Sequence, residues 1–167
     1  MTEKSIKIFR SAEAPPLLEA GCISLIPGSD LQNSGMERLR AAGFAEGDEI
    51  KVLVNVPGFS LAYVWFKQNY PLPLHSHDGD CLYYVIAGSL ELGNETLGPR
   101  DSFLIPANTP YTYKPGPEGV EVLEFRHENQ FEFRNHVKNN AFFDKAAETV
   151  VANVDAWRAA KRPSELV

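Results

Sequence analysis

The segment PLHSHDGDCLYYVIAG, residues 73–88, decides the fold of this 167-residue chain. It places His75 and His77, two of the four histidines, one residue apart in an extended stretch that follows a proline. Side chains two residues apart in a strand point to the same face, so the two imidazoles are predicted to lie side by side. Asp78-Gly79 favours a turn, and the aromatic and β-branched residues that follow Cys81 predict a returning strand.

Short strands separated by turn residues are predicted on both sides of this segment. Such regular spacing is typical of an all-β sandwich or barrel rather than of alternating βαβ units. The predicted strands are residues 6–9, 21–26, 50–56, 60–67, 74–77, 82–87, 89–92, 95–97, 102–105, 111–113 and 120–127.

Helices are predicted only near the two ends of the chain. Residues 36–42 form a short helix that stops at Gly43, and residues 142–148 form a helical turn. A second helix, 155–161, begins at a cap on Asn153 or Asp155 and ends before Pro163. The pattern predicts a single domain in three parts. These are N-terminal strands and a short helix (1–48) packing on the barrel or a partner subunit, a β-barrel (49–135) and a helical tail (136–167).

Composition narrows the class of partner and the location. Sixteen basic and 22 acidic residues give a net charge of −6 without a basic stripe, which argues against nucleic acid and anionic membranes as partners. No apolar run approaches the roughly 20 residues of a membrane span, and the first residues lack a signal-peptide hydrophobic region. Two cysteines, Cys22 and Cys81, cannot form a disulfide framework, so a cytoplasmic location is expected.

The histidine segment resembles the first motif of the cupin superfamily, in which a glycine, His-x-His, a glutamate and a second glycine follow in that order. His75, His77 and Gly88 occupy motif positions. The first glycine falls on Asn69 and the glutamate on Cys81. The resemblance implies a double-stranded β-helix jelly roll, the cupin barrel, with short peripheral helices, one of them near the C-terminus.

Residues 100–111 resemble the second cupin motif, which runs Gly-Asp, a hydrophobic strand, Pro-x-Gly and a histidine. Pro106 matches. The two glycines fall on Arg100 and Asn108, the histidine falls on Tyr111, and the asparagine that closes the motif falls on Pro115. Two of the four residues that usually bind a metal in this superfamily are therefore changed.

Strand alternation predicts which side chains face the barrel interior. Cys81 and Tyr83 share one face, and the resemblance implies that this face is the inner one. Tyr111 and Tyr113 likewise share a face. In the strand 120–127, Leu123 and Phe125 are apolar, which suggests that their face is inside. That choice carries His127 to the mouth of a pocket and leaves Glu124 and Arg126 outside.

The resemblance implies a divalent metal ion, iron(II) or zinc first, or none at all. His75 and His77 are the expected ligands, with Cys81 and His127 as candidates to complete the set and Asp80 as a rival carboxylate. Each candidate has an ordinary alternative, since Cys81 can be a small buried hydrophobe and His127 a surface residue at a strand end. Which of Asp80, Cys81, Tyr111 and His127 completes the site stays open.

The expected function follows from the same residues. Tyr111 is the candidate catalytic acid or base, and a small, partly apolar ligand is predicted to contact four aromatic side chains, Tyr83, Tyr113, Phe66 and Phe125. A metal-dependent enzyme is predicted, with dioxygenase-like chemistry first and isomerase or lyase chemistry next. The alternative is a non-enzymatic protein that binds or senses a small molecule through a degenerated metal site. A homodimer is expected in either case.

Overall fold

The computed structural model describes residues 5–166, in which nine strands form two sheets. The larger sheet has six strands and the smaller has three. In chain order the strands are Ile23–Leu25 (β1), Asp48–Val56 (β2), Phe59–Phe66 (β3), His75–Ser76 (β4), Cys81–Leu92 (β5), Glu95–Leu97 (β6), Ser102–Ile105 (β7), Lys114–Arg126 (β8) and Phe131–Asn135 (β9).

Strand β8 lies at the centre of the larger sheet, whose order is β2-β3-β8-β5-β6, with β7 paired to another part of β5. The smaller sheet has the order β1-β9-β4 and contributes the opposite wall of the barrel. The predicted all-β class with peripheral helices is confirmed. The core lies between the two sheets and continues beneath the helices.

Some strand predictions are wrong. Residues 6–9 have no regular structure, and Ile6 is 94% exposed, because this segment pairs with no strand of the described chain. Residues 111–113 form only an isolated bridge between Tyr111 and His75. Residues 82–87 and 89–92 belong to one strand, β5, which passes through Gly88 at φ +73°. Strand β9 was not predicted.

The helices are longer than predicted. Helix α1, Asp30–Ala42, starts at a capping box formed by Ser29 and Gln32 and ends at Gly43 with φ +103°. Helix α2 runs without a break over Asn140–Ala159 and is capped by Asn139, so the predicted start at Asn153 or Asp155 is wrong. The chain between 148 and 155 stays helical because one face of α2 is buried. No helix between residues 5 and 166 is long and apolar enough to cross a membrane.

Helix α2 packs against α1 and against the barrel through its buried face. Phe143, Val150 and Trp157 have no exposed surface. The Trp157 indole Nε1 donates to the Gln68 carbonyl at 2.8 Å, and Lys67 Nζ donates to the Trp157 carbonyl at 2.7 Å. Burial of these large apolar side chains, each worth about 1.5–3 kcal/mol, outweighs the weak helix propensity of the β-branched residues in α2.

Three turns keep a left-handed backbone without glycine. Among residues 5–166, the non-glycine residues with positive φ are Asn69 (61°), Arg100 (78°) and Asn108 (60°). These are three of the four positions at which the resembled motifs carry glycine; the fourth is kept as Gly88. Asparagine tolerates the left-handed region, whereas arginine does not favour it. The turns of the barrel have therefore been retained although the residues that most easily form them are absent.

Replacing Arg100 by glycine is expected to raise the free energy of unfolding by about 0.5–1 kcal/mol, because relief of left-handed strain exceeds the added entropy of the unfolded chain. Arg100 is exposed. Arg100→Ala, which removes the side chain and keeps Cβ, is the matched control and should not stabilise the protein. Chemical denaturation of both variants is the measurement. Equal stability of the glycine and alanine variants would contradict the account.

Candidate functional site

The main chain holds His75 directly opposite Tyr111. The His75 amide donates to the Tyr111 carbonyl at 3.1 Å, and the Tyr111 amide donates to the His75 carbonyl at 2.9 Å. This reciprocal pair sets the centroids of the imidazole and phenol rings 4.4 Å apart. The His77 ring lies 5.2 Å from the His75 ring. The predicted side-by-side arrangement of the two imidazoles is therefore present in the structure.

Both imidazoles are fixed in the same tautomer. His75 Nδ1 lies 2.8 Å from the Pro73 carbonyl, and His77 Nδ1 lies 2.7 Å from the Glu132 carbonyl. A carbonyl can only accept, so each Nδ1 carries a proton and each neutral ring has an unprotonated Nε2. Neither Nε2 atom has a hydrogen-bond partner among residues 5–166.

Burial keeps both rings neutral. It lowers the pKa of His75 to about 3, against the Pro73 carbonyl, which acts in the opposite direction. It also lowers the pKa of His77, and the nearby Arg126 cation adds to that effect. Two unprotonated nitrogens in one buried site can accept protons or bind a Lewis acid.

The two rings line a cavity of about 170 Å³ between the sheets. Phe133 stacks on His75 with centroids 4.9 Å apart, and Phe131 meets His77 edge-on at 5.5 Å. The volume corresponds to roughly six waters at ~30 Å³ each. The cavity therefore suits a small ligand with apolar or aromatic parts.

The inner face of β8 is the opposite of the predicted one. Glu124 pairs with Tyr83 across β5, and residues directly opposite each other in an antiparallel pair share a face, so Glu124 and Arg126 point inward. Phe125 pairs with Leu82 on the outer face and packs edge-on against Phe59 at 4.5 Å. Its predicted place in the pocket is wrong.

The same register excludes His127 from the site. Its side chain is 66% exposed, and Nε2 lies 3.9 Å from a carboxylate oxygen of Glu128. The prediction that His127 reaches the mouth of the pocket as a metal ligand is therefore wrong. The apolar residues of β8 suggested the wrong inner face, because the enclosed residues of this part of the strand are the polar ones, Glu124 and Arg126.

Arg126 and Glu124 form an ion pair inside the cavity wall. Arg126 Nη2 donates to Glu124 Oε2 at 2.8 Å, with side-chain exposures of 1% and 15%. Burial opposes the charge of Arg126, but Glu124 more than compensates and raises the pKa of the guanidinium. The guanidinium also lies 4.0 Å over the Phe131 ring. A permanent cation therefore faces the imidazoles.

The remaining predicted site residues divide between the wall and the layer behind it. Phe66, Tyr111 and Tyr113 line the cavity. Tyr83 is buried behind the wall, where its hydroxyl forms a short hydrogen bond with the Tyr111 hydroxyl. Cys81 is buried and outside the cavity lining; burial raises its pKa to about 12, so it is a neutral thiol.

The donors in this cavity do not fit a resident divalent metal. Such an ion needs three or more converging protein ligands. Within the described chain, no group of three or more His, Cys, Asp or Glu side chains is arranged to hold one. Asp80, the rival carboxylate, is exposed, and its Oδ1 accepts from the Ala107 amide at 2.8 Å. The Glu124 carboxylate in the same cavity is already hydrogen-bonded to Arg126, so the two neutral imidazoles would leave a metal with too few free ligands.

The residues of the cavity that were missed from the sequence include two aromatic residues of β9 and the ion pair of β8. Phe131 and Phe133 alternate with polar residues in β9, a period-two pattern that could have identified them. Glu124 and Arg126 gave no comparable signal, since charged residues on a strand normally face solvent. Only the pairing of β8 with Tyr83 on β5 reveals that they point inward.

Comparison with known proteins bears on the fold. No family model and no curated protein matches this sequence. Among solved structures, a protein of unknown function with a cupin-like fold from Ralstonia eutropha JMP134 matches with a TM-score of 0.52 and 16% identity. The match covers 91% of this chain and 90% of that chain. The polyketide cyclase RemF from Streptomyces resistomycificus matches with a TM-score of 0.50, 21% identity and coverage of 65% and 84% of the two chains, respectively. At these identities the likeness concerns the fold.

The neutral imidazoles have a measurable consequence in acid. At pH 5, ¹⁵N-correlated NMR should show His75 as a neutral ring protonated at Nδ1, because burial lowers its pKa to about 3; the pKa of His77 should also lie below its ordinary value. In the urea-unfolded chain every histidine should titrate near its ordinary pKa of about 6.5. The unfolded state then binds protons that the folded state does not, so stability should fall as the pH drops below about 6.5. A doubly protonated His75 ring in the folded protein at pH 5 would contradict this account.

Proposed function

The chain has the cupin fold, and from that premise we propose that it is an enzyme that transfers protons on a small organic molecule without a metal ion. The reaction class is that of an isomerase or a lyase. One observation carries the proposal: two neutral imidazoles, each with Nδ1–H held by a backbone carbonyl, line a single cavity between the sheets with Nε2 unprotonated.

Of the two imidazoles, His77 is the first candidate for the base, because a pKa lowered to about 3 makes His75 a weak one. A neutral Nε2 can take a proton from a carbon or oxygen of the substrate, while the Nδ1–H bond to the Pro73 or Glu132 carbonyl holds the ring in place. Only 4% of His75 and 9% of His77 are exposed, so a bound substrate competes with little solvent for either ring.

Tyr111 is suited to act as the acid. Burial raises the pKa of its phenol well above 10, and the nearby Glu124 carboxylate adds to that effect, so the hydroxyl stays protonated. Tyr83, whose pKa burial also raises, is hydrogen-bonded to the Tyr111 hydroxyl. This pair can donate a proton to a leaving group or to the carbon that is reprotonated, close to the His75 ring.

Two other functions remain to be separated from this one. A metal-dependent reaction, dioxygenase-like in the first place, is favoured by the two free Nε2 atoms, which are the nitrogens that histidines commonly offer to metals. Such a reaction would also need a third free protein ligand for the metal, which the cavity does not offer. A non-enzymatic protein that binds a small molecule would use the same cavity but would need no unprotonated nitrogen.

The test is solvent hydrogen exchange. A panel of small keto, hydroxy and unsaturated acids is incubated with the protein in D₂O, and loss of substrate proton signals is followed by NMR. We expect at least one compound to exchange. Substituting the histidine that acts as base (His75→Gln or His77→Gln) should slow exchange by about 10²–10⁴-fold, and Tyr111→Phe should slow it as well.

His127→Gln is the matched control, because this histidine is on the surface, and it should leave the rate unchanged. Dialysis against a chelator should also leave the rate unchanged. A rate abolished by the chelator and restored by iron(II) or zinc would establish the metal-dependent alternative instead. Ligand binding with no exchange of any compound in the panel would favour the non-enzymatic alternative.

A further inference from the structure

Two buried donors in the cavity wall have no acceptor. Arg126 Nε is fully buried and makes no hydrogen bond, although the same guanidinium donates from Nη2 to Glu124. The Tyr113 hydroxyl is also fully buried and without a partner. Both residues line the cavity that holds His75 and His77. A buried donor left unsatisfied costs about 1–3 kcal/mol, so two of them in one cavity are unfavourable unless a ligand accepts from them.

The unpaired guanidinium donor indicates what kind of acceptor is missing. Arg126 is positive and Glu124 is negative, so the ion pair has no net charge, and both imidazoles are neutral. A carboxylate offers two acceptor oxygens in a plane that matches the guanidinium fork. It also adds one negative charge, whereas a phosphate would add nearly two next to a single cation that is already paired.

The orientation of the guanidinium supports a defined binding geometry. Arg126 stacks 4.0 Å over Phe131, and its bond to Glu124 Oε2 holds one edge of the group. Nε has no protein partner. A planar ligand group anchored on β8 would extend across the cavity toward the imidazoles on the opposite sheet.

We propose that the cavity binds a small organic acid whose carboxylate accepts hydrogen bonds from Arg126 Nε and the Tyr113 hydroxyl. This names the substrate class of the proposed enzyme, and it rests on that function only in treating the ligand as a substrate. The rest of the molecule lies between Phe66 and the aromatic residues of β9, with its reacting atom toward Nε2 of His75 or His77.

The test is calorimetric binding of acetate, propionate and benzoate, each compared with its uncharged amide. At least one acid should bind at least tenfold more tightly than its amide. The double variant Glu124→Gln/Arg126→Met, which leaves no unpaired buried charge, should abolish that preference. Asp155→Asn/Arg158→Met, which removes an exposed ion pair of the same net charge from α2, is the matched control and should bind as wild type does.

Tyr113→Phe separates binding from folding. Because the hydroxyl has no partner in the protein, its removal should leave the stability of the free protein unchanged or slightly higher. Binding of the acid should weaken several-fold while binding of the amide changes less. A purely structural role for Tyr113 would give the reverse, with lower stability and unchanged binding.

The outcomes distinguish this proposal from the proposed function. Failure of all three acids to bind, or equal binding of acids and amides, would overturn the carboxylate site. A preference for the acid that survives in Glu124→Gln/Arg126→Met would do so too. Carboxylate binding without proton exchange would uphold the site and overturn the acid–base function. Proton exchange that is undiminished in the double variant would uphold the function and overturn the site.

Discussion

The pleat of β8 is the constraint on which the rest of the site depends. This strand pairs with β3 on one side and with β5 on the other, so its register fixes which of its side chains face the interior. Val122 opposes Val64 and Val85 in the core, and that alignment carries Glu124 and Arg126 into the cavity wall. A shift of the register of β8 by one residue would turn the valines toward solvent and move the ion pair out of the cavity wall. The register that buries the core therefore also places the two charges.

The enclosed ion pair sets the electrostatics of the cavity. Arg126 supplies a positive charge at a site where the resemblance to cupins implied a metal ion, while Tyr111 and Cys81 replace two of the usual ligands with groups that stay protonated. Placing a cation next to His77 favours its neutral form, which a general base requires. The changes at Tyr111 and Cys81 are therefore consistent with the enclosed ion pair, because both remove metal ligands where Arg126 supplies a charge.

The fold could be predicted from the sequence because it depends on local sequence signals. The site depends on which strands pair and in which register. The His-x-His segment and the spacing of the strands identified the barrel even though Asn69, Arg100 and Asn108 replace motif glycines, since all three keep the left-handed turn. The inward direction of β8 could not be predicted, because apolar Phe125 suggested the wrong face and only its partner strand decides. The expected homodimer and cytoplasmic location stay predictions.

In the proposed function, this cavity works with two neutral imidazoles and the Arg126–Glu124 ion pair rather than with a metal ion. The most direct measurement is metal content by mass spectrometry on untagged protein, before and after reconstitution with iron(II) or zinc, next to the His75→Ala/His77→Ala variant. The account predicts far less than stoichiometric metal in every sample, with no difference between wild type and variant. A near-stoichiometric metal in the wild type that is absent from the variant would contradict it.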